Sequence, residues 1–182
     1  MYRIHRLWRG GLIAGALVLA MAAPAAAANP AGAGTPPTRT LYPLSYFELP
    51  AGTACADFDV AGVPDHGFQA KTDFGGGWRL FSVRAHGAYV NLTTGKRYEV
   101  SDTYRDYGRF DTLTNVVTAV ETGQTTWSFL PGDQGPFGVV GEGGAMYHFI
   151  GSVSYTFDYN TFRATILKWT GTAEDVCEEL SK

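Results

Sequence analysis

The residues best suited to chemistry are few: one histidine within a strand-like run, one knot of acids, and scattered tryptophans and tyrosines. His148 shares alternation parity with Met146 and Ile150, which puts it on an apolar face. An imidazole there serves either as a core group bonded to a neighbour or as a catalytic base. The acids crowd into residues 101–111, where Asp102, Asp106 and Asp111 alternate with Arg105, Arg109 and three aromatic residues. Such a cluster can present paired carboxylates to a sugar or oxygen ligands to calcium. Its simpler reading is a solvated β-turn. The acids do not keep the spacing of an EF-type calcium loop, so Asp106 is retained only as a candidate base beside His148.

Trp78, Trp127 and Tyr147 are the candidate binding residues, because an aromatic face pairs with the apolar face of a pyranose or another small ring. Each is more simply a core or cross-strand residue, given the area a large aromatic ring buries. No cofactor motif is present. Gly141-Glu142-Gly143-Gly144 lacks the Gly-Lys-Ser/Thr ending of a phosphate loop, and no Gly-x-Ser-x-Gly elbow or Ser-x-x-Lys occurs. No metal is indicated either, since two distant cysteines without Cys-x-x-Cys or His-x-x-x-His partners leave a zinc tetrahedron incomplete.

The first 28 residues read as a secretory signal peptide. Arg3, Arg6 and Arg9 precede an apolar run over 12–23, and Ala26-Ala27-Ala28 offers a cleavage site before Asn29. That run is short for a bilayer span, and no second one follows, so a secreted chain with no membrane attachment after cleavage is expected. Three of the 14 basic residues leave with the signal, so 11 stand against 17 acids and the net charge becomes −6. A scattered, acidic charge pattern lacks the footprint of a nucleic-acid binder. An even cysteine count in an exported chain predicts one bond between Cys55 and Cys177, with two free thiols or an intermolecular bond as the alternatives.

Residues 29–40 are rich in Pro, Gly, Ala and Thr and read as a flexible lead-in. A single domain is expected over 41–182. Short runs rich in Tyr, Phe, Val, Thr and Trp recur there between turn signals, which predicts an all-β sandwich or barrel of about ten or eleven mostly antiparallel strands. The runs 56–60, 68–74, 88–92, 98–104, 146–157 and 162–166 all alternate with period two. Thr122-Gly123 reads as a turn. Residues 131–144 hold six glycines and read as a mobile lid or an irregular connection. A short C-terminal helix over 173–180, capped by Thr172, would carry Cys177.

The segments Phe47-Glu48-Leu49-Pro50-Ala51-Gly52-Thr53-Ala54-Cys55, Asp57-Phe58-Asp59-Val60 and Asp175-Val176-Cys177-Glu178-Glu179-Leu180 resemble small exported all-β proteins of high-GC Gram-positive bacteria, a group with no assigned activity. The resemblance covers the two ends of the chain. It implies the pairing of Cys55 with Cys177 and a secreted β domain, and it implies no catalytic residue. The function expected is therefore a binding or structural extracellular module for a small molecule, a glycan or a protein. A small extracellular hydrolase or cyclase, with its site in a barrel mouth or cleft, is the first alternative. A lipocalin-like carrier of a small apolar ligand is the second.

Overall fold

A computed structural model describes residues 36–182. The expected signal peptide and most of the lead-in lie outside the described residues. The fold is all-β: ten strands in one sheet and a short terminal helix. The strands are β1 (Thr38–Tyr42), β2 (Phe47–Leu49), β3 (Val60–Gly75), β4 (Trp78–Asn91), β5 (Arg97–Asp111), β6 (Val116–Phe129), β7 (Gln134–Gly135), β8 (Gly138–Val139), β9 (Ala145–Asp158) and β10 (Arg163–Asp175), followed by α1 (Val176–Ser181). Their order in the sheet is β1-β3-β4-β5-β6-β9-β10-β7-β8, with β2 beside β1 on the edge of β3. Every pairing is antiparallel except that of β7 with β10. The all-β single domain with a short C-terminal helix is as expected, and among the described residues the hydrogen-bonded order of strands does not close on itself. The molecule is one continuous sheet with edges at β1 and β8.

The strands are long because several sequence breaks do not break them. Gly123 was expected to mark a turn, yet it lies within β6 with φ 129°, opposite Gly151 of β9, which in turn faces Gly171 of β10. A Cβ on Gly123 would stand 2.2 Å from the Thr103 carbonyl oxygen, and one on Gly151 2.0 Å from that of Thr170. Glycine is therefore required along this row. The row marks a crease at which β6 separates from β5, since their pairing runs from Asp111 back only to Thr103. Beyond that point β5 continues to Arg97 paired with β4 alone.

One face of the creased sheet holds the main core, built around Val117, Trp127, Phe129, Phe149, Val153 and Tyr155. Each follows from period-two alternation. A second core joins Ala54, Cys55, Phe58, Val60 and Met146 to Val176 and Leu180 of α1. The disulfide Cys55–Cys177, with Cα atoms 5.5 Å apart, fastens it. Cys55 lies in a bent segment ahead of β3 rather than in the strand expected there, because the chain pairs with β2 and β4 only from Val60 onward. The helix also starts later than expected. Residues as far as Asp175 still pair with β9, so Asp175 and not Thr172 is the N-cap, its carboxylate accepting from the Glu178 amide at 3.0 Å.

Residues 38–40 of the expected lead-in belong to β1. Residues 131–144 are likewise ordered by specific bonds. The buried Asp133 carboxylate accepts from the amides of Leu130 and Ala164 at 2.8 and 3.1 Å, and Gln134 pairs with Thr165. Trp169 donates its indole proton to the Pro136 carbonyl, which ties the segment down a second time. The connection is irregular and anchored, and it does not form a free lid.

Candidate functional site

The knot of acids at 101–111 is not a solvated turn: it is the heart of β5. Period-two alternation sends Thr103, Arg105 and Arg109 to solvent and turns Asp102, Tyr104 and Asp106 inward. The same alternation that buries a valine elsewhere here buries the Asp106 carboxyl and half-buries that of Asp102, and each must find a partner or a proton.

Asp102 faces a cleft of about 90 Å³ between the segment preceding β2 and strands β3 to β5. Phe47, Val83, Ala88 and Val100 supply apolar walls, while Tyr104 and Thr126 add hydroxyl groups. Phe47 reaches its place because Gly62 has no side chain; a Cβ there would stand 2.3 Å from the Phe47 ring. The space accommodates one ring or a short chain, not an extended glycan.

The separation of β5 from β6 brings Asp102 to Thr126 and His148. The Thr126 hydroxyl donates to Asp102 Oδ1 at 3.1 Å, and His148 Nδ1 lies 3.0 Å from the same hydroxyl and 3.7 Å from Asp102 Oδ1. With its proton on Nδ1, the neutral imidazole donates to Thr126, and one directed chain runs from His148 to the cleft acid. Burial pushes the Asp102 carboxyl up to about 7, against the hydrogen bond from Thr126. Burial also lowers His148, against the pull of Glu174. Asp102 is thus poised between its two forms near neutrality, and His148 stays neutral beside it. The Tyr98 ring stands edge-on to His148, and its hydroxyl donates to exposed Glu174 at 2.7 Å. Burial and the nearby Asp102 hold the Tyr89 phenol in its protonated form, within hydrogen-bonding reach of Thr126.

A pair of carboxyls lies deeper on the same face. Asp106 is directly opposite Glu121 of β6, and both are buried. Glu121 Oε1 accepts the Trp127 indole proton at 3.0 Å, while Glu121 Oε2 and both Asp106 oxygens accept no donor. Burial pushes Glu121 up to about 8 and Asp106 well above its ordinary range, the charge of Glu121 adding to the latter and Arg79 opposing it. Two facing buried carboxyls disfavour each other's ionisation, so both are held toward their protonated forms. The neighbouring Tyr104 and Tyr155 phenols stay protonated for the same reason of burial.

The candidate residues from sequence are dispersed. His148 is buried but reaches the cleft through Thr126. Asp106 belongs to the buried pair and not to the cleft wall. Trp127 is a fully buried core residue clamped between Phe129 and Tyr155. Trp78 stacks on Tyr107 at 5.1 Å, and Tyr147 packs in an aromatic group with Phe137 and Phe149, so neither lines the cleft. Sequence reasoning missed Asp102, Thr126 and Tyr89 as a group. Parity with Tyr104 was the available signal for Asp102, whereas Thr126 carries none, because it is placed by the crease. No family model, no curated protein and no solved structure matches the chain.

Proposed function

We propose that the chain is an exported β domain that takes a small, largely apolar molecule into the cleft and exchanges a proton with it at Asp102. The single observation that carries this reading is the geometry of Asp102: a carboxyl in an apolar cleft, bonded to a hydroxyl that is itself bonded to a buried histidine. A general acid or base works best when its pKa lies near the working pH and its partner can supply or remove the proton. Asp102 is the reacting group, Thr126 the donor that steadies its ionised form, and His148 the neutral partner that orients the Thr126 hydroxyl; the proton that Asp102 takes up leaves to solvent through the cleft. The disulfide belongs with an oxidising compartment. Among the described residues, no helix is long and apolar enough to cross a membrane. A cleft of this size and an open sheet favour this reading over a lipocalin-like carrier, which encloses its ligand in a closed barrel.

The test uses 5-nitrobenzisoxazole, a ring-sized probe that opens when a carboxylate removes its C–H proton. Turnover above that of free acetate, rising with pH through about 7 and lost in Asp102→Asn, is the expected result. Equal turnover by Asp102→Asn would remove Asp102 from the chemistry. If Ala85→Trp, which fills the cleft, leaves the amide shifts induced by 4-nitrophenol unchanged, the cleft is not the binding site.

A further inference from the structure

A third group of titratable side chains enters none of the chemistry above. His66 of β3 and His86 of β4 are cross-strand partners, with ring centroids 4.5 Å apart and planes 19° from parallel. The register slips between Pro64 and His66, so Asp65 is the extra residue of a bulge. Bulges re-aim side chains, and here the Asp65 carboxylate meets His66 Nδ1 at 2.9 Å. Both side chains are open, His66 at 67% and Asp65 at 77% exposure. Because Nδ1 is engaged with the carboxylate, the unshared electron pair of neutral His66 sits on Nε2, facing outward. A carboxylate behind one ring nitrogen and a free lone pair on the other is the arrangement that supports metal-bound histidine.

We propose that His66 and His86 form a two-histidine chelate for a divalent transition ion, at the rim of the cleft. Directly opposed cross-strand side chains have Cβ atoms about 5 Å apart, and two imidazoles at that spacing reach one ion at nitrogen distances of about 2 Å. The stacked rings must first turn. Rotation about χ2 of an exposed histidine is soft and leaves the backbone in place. No third His, Cys, Asp or Glu joins them in a metal-binding group among the described residues, so the remaining coordination positions belong to water or to an exchangeable ligand. Imidazole donors in an open site select Cu2+ over Zn2+ and exclude Ca2+ and Mg2+. His86, Pro64 and Gly87 also border the cleft.

The experiment titrates the full oxidised chain with ZnSO4 while following the ring nitrogens of its histidines by NMR, and repeats the titration with CuCl2 by calorimetry. One equivalent is expected to move His66 and His86 Nε2 together and leave His148 in place. His66→Asn or His86→Asn should each weaken binding by about tenfold or more, and Asp65→Asn by less. Both histidine variants change exposed or half-exposed side chains, so their amide spectra should retain the sheet. Wild-type affinity in either histidine variant, or movement of only one of the two rings, would overturn the chelate. None of these outcomes depends on Asp102.

Discussion

Asp102 and Asp106 lie on one strand, on one face and four residues apart, yet the molecule treats them in opposite ways. Asp102 meets a hydroxyl, a histidine and a cleft. Asp106 meets another carboxyl and no opening. The difference comes from where β6 leaves β5. Alongside Asp106 the two strands are paired and force Glu121 against it, whereas beyond Thr103 they part and admit Thr126 and His148. Desolvation raises both acids, but only one of them can exchange its proton with a ligand. Burial of a carboxyl is thus insufficient to mark a site; the gap beside it is what makes the proton usable.

The largest way to break this comparison is to remove the disulfide. Closing a loop of 122 residues stabilises a domain by about 4 to 5 kcal/mol in the chain-entropy model, and Cys55→Ser should lower the melting temperature accordingly. The bond secures the second core, which includes Met146, two residues from His148. Amide shifts on reduction should therefore centre on residues 146–150 and 98–102 and spare Glu121. A uniform response over the whole sheet would contradict this division.

The next effect belongs to the buried pair. A carboxyl whose folded pKa is raised binds a proton that the unfolded chain has already lost. Its contribution is most favourable below about pH 4.5 and is lost as pH rises to about 8 for Glu121. At about 1.4 kcal/mol per decade, that is of the order of 5 kcal/mol. Denaturant unfolding should show stability falling between pH 5 and pH 8, and the Asp106→Asn, Glu121→Gln double variant should remove most of the slope, leaving the part due to Asp102. The turn acids Asp111 and Asp158, held low by backbone amides, act in the opposite sense and only at more acidic pH. A flat profile in the wild type would mean that the pair is not desolvated.

The smallest effect sharpens the comparison most. Thr126→Val removes the donor to Asp102 and leaves the shape of the cleft, at a cost of about 1 kcal/mol. Without that hydrogen bond to its charged form, Asp102 should titrate higher than in the wild type, while the behaviour of Glu121 should stay unchanged. An unmoved Asp102 titration would show that Thr126 does not couple to it.

Much of the fold was legible because alternation is a local property: Val153, Tyr155 and Phe157 announce their strand and its buried face by themselves. The site was less legible for two reasons. Polar residues at 101–111 suggest solvent by composition, although their parity with Tyr104 places Asp102 and Asp106 inward. Gly123 also suggests a turn, since glycine favours both turns and creases, and only its register with Gly151 and Gly171 distinguishes them. Because the crease determines that Thr126 meets Asp102, the pairing of these residues is a long-range consequence that no local pattern carries. The cysteines stand between these extremes, since their pairing follows from their number while the bent segment holding Cys55 does not.

Asp102 is a desolvated acid held at the threshold of ionisation by one hydroxyl. Carbon-13 NMR of the carboxyl groups across a pH titration tests it directly. A midpoint near 7 is expected for Asp102, displaced upward in Thr126→Val; titration of Asp102 near the ordinary value of about 4 would rule out its desolvation.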